Sequence, residues 1–274
     1  MTPFSVMDIP VVVHTMTLVR RIVLILVAAL VVLVGAATAE AANPVVAAAK
    51  RTADARSSLF DMQMTVEAGG QRVAITGSGA MRGQDTAKLT MRTSAAGKSI
   101  AFDMLMLREA GRAVMYMRSP TFSASLPKGK TWMRLDLDLA ASKLGVDYSE
   151  LIETSRTLGP LEHGLVSTKR VGTATVAGKP ATQYRAVIDT KRAAKEVPAF
   201  AKQLRTIERA GVRLPRLTED VWIGSDGRIT RVGLSFPLVQ QGVHATSSTT
   251  MTFRAFDVPV SVSAPPRAQV FDFS

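Results

Sequence analysis

The sequence predicts an α+β fold, one large curved antiparallel sheet with a few helices on one face. Two observations carry this. From Phe60 onward, most segments alternate apolar and polar residues at period two, the side-chain period of a strand. These segments are short and separated by glycine-bearing turns, as antiparallel hairpins are. Helical periodicity appears in only a few short stretches.

The chain has 274 residues, 47% of them hydrophobic, which suits one large domain over 42–274 and excludes disorder as the main state. The 34 Lys and Arg residues, a formal charge of +12, are scattered without a dense tract, and aromatics are only 5%. No nucleic-acid partner is therefore expected; an anionic membrane or envelope surface fits better. There is no cysteine. Disulfides, thiolate catalysis, thiolate metal sites and lipid modification of an N-terminal cysteine are all excluded.

Residues 1–41 read as a secretory signal peptide. Arg20 and Arg21 precede the apolar run Ile22–Val34, and Ala39-Glu40-Ala41 supplies a small-residue cleavage site. Met16 is an alternative start. An uncleaved anchor is the competing reading, because Ile22 to Ala39 approaches the length of a membrane span. Cleavage after Ala41 leaves Asn43 as an N-cap and Pro44 as a first helical residue.

The mature chain opens with an Ala-rich helix over Pro44–Ser58, with Val45, Val46, Ala49 and Ala53 on one side. Phe60–Glu67 alternates Phe60, Met62, Met64 and Val66 with polar residues, and Gly69-Gly70 makes a hairpin turn. Val73, Ile75 and Met81 continue the next strand, and Ala87, Leu89 and Met91 the one after. Ser99–Arg108 is apolar on both faces and is followed, past Gly111, by Ala113–Arg118. A proline-bracketed loop then leads to a strand over Thr131–Leu139, where Met133, Leu135, Leu137 and Leu139 share a face.

Asp147 to Glu150 is a capping box that starts a short helix, stopped by Gly159-Pro160. A hairpin turns at Gly178 between Leu165–Val176 and Thr182–Ile188. An amphipathic helix begins near Pro198, with Phe200, Ala201, Leu204 and Ile207 on one side and Gly211 closing it. Val221 and Ile223 lead into Asp226-Gly227, a strong hairpin signal. The Thr/Ser-rich stretch His244–Arg254 reads as an edge or solvent-facing strand. The proline-rich tail is expected to pack by Phe271 and Phe273.

Catalytic signals are missing. His14, His163 and His244 stand in no metal-ligand spacing, and there is no nucleophile elbow, P-loop or dinucleotide fingerprint. Asp136 and Asp138 lie two apart, a pattern that usually marks a solvated strand face. No enzyme activity, cofactor or metal is expected, and nothing in the sequence sets an oligomeric state.

The distinctive feature is methionine. Nine of the thirteen fall between Met62 and Met133, with pairs two apart at Met62 and Met64, Met104 and Met106, and Met115 and Met117. Each pair shares one strand face. Methionine is flexible and polarizable, and it specifies a tight core poorly but adapts well to irregular apolar partners. The face is either an ordinary core or the lining of an apolar site. As a lining, its candidate members are Met62, Met64, Met104, Met106, Met115, Met133 and Leu135, with Phe200 and Leu204 from the amphipathic helix.

Several segments together resemble one family: Thr131–Leu137 (TWMRLDL), Val171-Gly172-Thr173 to Gly178-Lys179-Pro180 with Gln183-Tyr184-Arg185, Asp220–Arg228 (DVWIGSDGR), and Ala264-Pro265-Pro266 with Val270-Phe271-Asp272. In their order and spacing they are similar to the actinobacterial LppX/LprG-type lipoproteins, whose fold is like that of the LolA/LolB carriers. The resemblance implies a half-barrel with helices across its concave face. It also implies a cavity for the acyl chains of envelope lipids, and no catalysis. The family's lipobox cysteine is absent here. Two readings follow: an exported lipid-binding carrier, or an envelope sensory or structural domain of the same fold, anchored by its leader and binding a protein.

Overall fold

The structure, a computed structural model, describes residues 43–68, 71–83, 86–95, 98–139, 159–209, 214–240 and 243–273. The leader, the capping box at Asp147, the glycine turns at 69–70 and 97, and the Gly211 stop lie outside the described residues.

Helix α1 (Pro44–Ala53) begins as its sequence dictates. The Asn43 side chain accepts from the Val45 N–H, and Pro44 occupies the first turn, where its missing N–H costs nothing. Val45, Ala48, Ala49 and Thr52 are its buried stripe. The helix stops at Ala53 rather than Ser58, because Ser57 already belongs to β1 (Ser57–Ala68). Eleven strands follow: β2 (Gln71–Arg82), β3 (Thr86–Ala95), β4 (Lys98–Glu109), β5 (Arg112–Arg118), β6 (Trp132–Asp136), β7 (Leu165–Val176), β8 (Lys179–Asp189), β9 (Arg216–Gly224), β10 (Ile229–Gln240), β11 (Val243–Phe256) and β12 (Val270–Asp272). The remaining helices are α2 (Pro120–Ser123), α3 (Gly159–Gly164), α4 (Thr190–Glu196) and α5 (Pro198–Arg209).

All twelve strands form one open sheet in the order β12-β6-β5-β4-β3-β2-β1-β11-β10-β9-β8-β7. Every pairing is antiparallel except β12 with β6. Two meanders, β1–β6 and β7–β11, therefore join where β1 meets β11. The result is two wings on either side of a central seam.

Among the described residues, the helices gather over one wing rather than across the whole sheet. Val45, Ala48 and Ala49 of α1, Leu161 of α3 and Leu204 of α5 pack with Ile188, Leu217, Val221, Val232, Leu234 and Phe236. Thr52 fixes α1 there: its hydroxyl donates to the Ala48 carbonyl and accepts from the Ile229 N–H, both at 2.8 Å. The other wing has its own cluster of Met62, Met64, Ile75 and Met91, with Phe102 and Met104 against it.

Strand β5 is buried on both faces, and β4, apolar on both faces in sequence, is half-buried on the methionine face with Leu105 buried on the other. On the reverse face, Leu105, Val114, Tyr116 and Trp132 are covered by Val262, with Val260 and Val270 beside them. The tail packs by these valines. Phe273 is instead 56% exposed, its ring set edge-on to Phe271.

Three further expectations are corrected. Strand β6 ends at Asp136, so Leu137 and Leu139 do not extend its face; the Asp136 carboxylate accepts from the Leu139 N–H at 2.9 Å and turns the chain. Asp136 is 4% exposed and paired with Arg112 at 3.2 Å, so it is no solvated carboxylate. Gly159 and Pro160 are the first described residues of α3, and the helix expected before them lies outside the described residues. And β11 is a central strand between β1 and β10; the edges are β7 and β12. Its Thr residues have the β-branching that suits any strand, central or edge.

One glycine shapes the methionine wing. Gly79 sits opposite Phe60 in the β1–β2 ladder. A Cβ there would lie 2.5 Å from the Phe60 ring and 2.8 Å from the Lys88 carbonyl oxygen. Its absence lets the Phe60 ring lie over β2.

Candidate functional site

The register settles which face the methionines share. Residues directly opposite in a ladder point to the same side. One row runs Phe60, Gly79, Leu89, Met104, Met117, Met133 and Phe271 across seven strands. Beside it run Met62, Gly77, Met91 and Phe102, then Ala87, Met106, Met115 and Leu135. Met81 falls on the same face, opposite Ala87, and Met251 does too, opposite Met62. All ten methionines from Met62 onward thus lie on one face of one sheet. At about 4.8 Å per strand, the long row spans roughly 29 Å.

Burial grades across this face. Met62, Met64, Met91 and Met115 are buried, while Met104, Met106, Met117, Met133 and Leu135 are half-buried. Met81 on β2 and Met251 on β11 are half-buried as well. Phe122 of α2 leans on Phe102, with centroids 5.9 Å apart. Phe200 and Leu204 are both buried on α5, and Leu204 belongs to the core of the helix-covered wing. The same register puts that core on the methionine side of the sheet, since Phe60 and Met251 pack into it.

Sequence reasoning missed the polar members of this face. Glu219 of β9 is 2% exposed, between Leu217 and Val221 in the alternation. Among the described residues its Oε1 has no hydrogen-bond partner, and neither do the buried Ser247 Oγ and Thr249 Oγ1. Burial alone pushes the Glu219 carboxyl up to about 8, so it is a neutral acid at pH 7. Each such orphan costs about 1–3 kcal/mol. The signal was present: Leu217, Glu219 and Val221 put the carboxyl in the apolar phase of its strand.

The remaining charged groups serve the frame. Capping of Leu139, helped by Arg112, holds the Asp136 carboxyl below its usual range. On the reverse face Tyr116 donates to Glu109, which Arg134 also reaches at 3.3 Å, and Arg134 continues to Asp272. Burial and the Glu109 carboxylate push the Tyr116 hydroxyl up. His163 is exposed at the end of α3. Among the described residues, no cluster of three or more His, Asp or Glu side chains could hold a metal, and no helix is long and apolar enough to cross a membrane.

Two clefts have walls of described residues. One of about 610 Å³ is lined by Ala101, Asp103, Arg118, Pro120 and Thr131. The other, about 390 Å³, lies between Leu214, Arg216 and Phe236. No methionine lines either.

No family model and no curated protein matches the sequence. Among solved structures, the chain is similar to LprF from Mycobacterium bovis, at 14% identity and a TM-score of 0.45 over 80% of this chain and 93% of that one. It is also similar to the lipoprotein LppX of Mycobacterium tuberculosis, at 14% identity and a TM-score of 0.38 over 77% and 91%. A LolA superfamily protein from Nitrosomonas europaea follows at 8% identity and a TM-score of 0.24, over 75% and 89%. With values this low, none of them assigns a ligand or a role to this chain.

Proposed function

We propose that this protein is an exported lipid-binding carrier of the cell envelope, holding acyl chains against the methionine face. The observation that carries the reading is the gathering of ten methionines on one face of the sheet. A fixed core of this size is ordinarily built from Leu, Ile, Val and Phe, whose rotamers specify one packing. Methionine repacks at little cost around a partner of variable shape, which is what a flexible chain is. Burying an acyl chain is worth about 0.8 kcal/mol per methylene, so contact along part of one row holds a lipid firmly.

In this reading Met62, Met64, Met104, Met106, Met115, Met133 and Leu135 form the floor, and Phe200 and Leu204 close it from the helix side. The chain's positive charge of +12 favours docking on an anionic membrane. No step requires catalysis or a cofactor.

Native mass spectrometry of the protein purified from its own host tests the reading. The expected result is a bound mass that organic extraction removes and identifies as lipid. Protein that arrives ligand-free, and that takes up no lipid from mixed vesicles, would overturn it.

A further inference from the structure

The methionine side of the sheet carries polar atoms that have no partner among the described residues. Glu219 Oε1, Ser247 Oγ and Thr249 Oγ1 are all buried without a partner, and the Glu219 and Ser247 side chains are themselves 2% and 0% exposed. The ladders bring them to one patch. Leu234 lies between Glu219 on β9 and Thr249 on β11. Phe236, two residues along, faces Ser247. On the other flank Thr249 faces Met64 and Ser247 faces Val66. The patch therefore runs from Glu219, inside the helix-covered core, to Ser247 and Thr249 on β11, which pair with β1 at the seam.

Spacing decides what can satisfy it. Glu219 and Thr249 are two strands apart, roughly 10 Å, and Ser247 and Thr249 are one two-residue step apart, about 7 Å. These distances leave the groups too far apart to pair directly in the row. Buried polar groups are ordinarily satisfied, so the patch calls for a group from outside the chain.

We infer that Glu219, Ser247 and Thr249 form a polar anchor for the uncharged, oxygen-bearing end of a lipid, an ester or hydroxyl group such as a glyceride carries. This deepens the acyl-carrier reading above and rests on it. The chemistry fits an uncharged acceptor. A neutral carboxylic acid donates one hydrogen bond, and each hydroxyl both donates and accepts. No Lys or Arg hydrogen-bonds any of the three orphaned atoms. A phosphate or a free carboxylate would enter with its charge uncompensated, beside an acid already kept neutral by burial. The chains of the bound lipid would leave over Met64 and spread across the methionine rows.

The test uses the full chain and three probes with eighteen-carbon chains: monoolein, oleate and 1-octadecene. Each displaces a fluorescent acyl probe in titration. The wild type is expected to prefer monoolein over octadecene by about tenfold or more, as one or two hydrogen bonds provide, and to prefer monoolein over oleate. Glu219→Leu is expected to erase most of that preference, and Glu219→Gln, which keeps a donor of the same shape, to restore most of it. Thr249→Val and Ser247→Ala are near-isosteric, so they carry the test if Glu219→Leu fails to fold; each is expected to cut the preference severalfold. Octadecene binding without preference for monoolein overturns the anchor and leaves the carrier reading standing. So does a preference that survives all four substitutions, which would mean that buried water satisfies the patch. Failure of every probe to bind the wild type overturns the carrier reading, and the anchor with it.

Discussion

The two wings of the sheet bury the same side with different chemistry. The β8–β10 wing uses Ile188, Leu217, Val221, Val232, Leu234 and Phe236, and the helices α1, α3 and α5 pack on it. The β2–β6 wing uses Met81, Met91, Met104, Met106, Met115, Met117 and Met133. Branched and aromatic side chains have few rotamers and lock a partner into one position. Unbranched methionine does not. Among the described residues, one wing packs its own helices, and the other is the wing proposed above to take a partner that changes. The orphaned polar patch starts inside the first wing at Glu219 and reaches the seam at Ser247 and Thr249.

The largest expected effect comes from that patch. Glu219 keeps its proton in the fold up to about pH 8, whereas the unfolded chain gives it up near 4.5. The folded state thus binds the extra proton, so the Glu219 contribution to stability is fully present below pH 4.5 and is lost as pH rises to about 8. The loss is roughly 5 kcal/mol for a shift of this size. Glu219→Gln removes this dependence. Urea midpoints measured from pH 5 to 8.5 are expected to drop for the wild type more steeply than for the variant; parallel profiles would show that the carboxyl is solvated and that the patch is not dry.

Next is the covered wing itself. Ile188→Ala is expected to cost about 3 kcal/mol by leaving a cavity beneath fixed helices. The half-buried Met104→Ala is expected to cost about 1 kcal/mol. Equal losses in chemical denaturation would erase the distinction between the wings. Gly79→Ala should cost about 2 kcal/mol, since its Cβ collides with Phe60 at 2.5 Å and cannot escape the Lys88 carbonyl at 2.8 Å. A neutral result there would mean that the Phe60 ring is free to leave β2. The smallest effect sharpens the comparison most. Met104→Leu with Met106→Leu conserves volume and should change stability by less than about 1.5 kcal/mol. The same pair should narrow the range of acyl chain lengths the protein accepts in a displacement assay.

Local chemistry made much of this fold legible. Asn43 and Pro44 announced the start of α1, and the paired methionines announced shared strand faces. Long-range pairing was not legible. The Ser/Thr content of β11 suggested an edge, but its central place is set by β1, nearly two hundred residues earlier in the chain. Nothing local in His244–Arg254 encodes that partner. Helix α4 was missed although Asp189 caps it by accepting from the Arg192 N–H, because Thr190–Glu196 is too short and polar to show a helical stripe. The tail was misjudged at Phe273, which is exposed, while Phe271 pairs opposite Met133 and Val260 and Val262 pack on the reverse face. For the candidate site, the pairing of methionines was readable, but their union on one face required the register of six ladders.

The central claim is that the methionine wing, and not the helix-covered wing, receives acyl chains. Photo-crosslinking with a fatty acid carrying a mid-chain diazirine, followed by peptide mapping, tests it most directly. The account predicts saturable labelling on peptides from β1 to β6, at Met62, Met104, Met115 and Met133 and their neighbours, competed by unlabelled lipid. Labelling confined to β8–β10 and α5, or labelling that lipid does not compete, would contradict it.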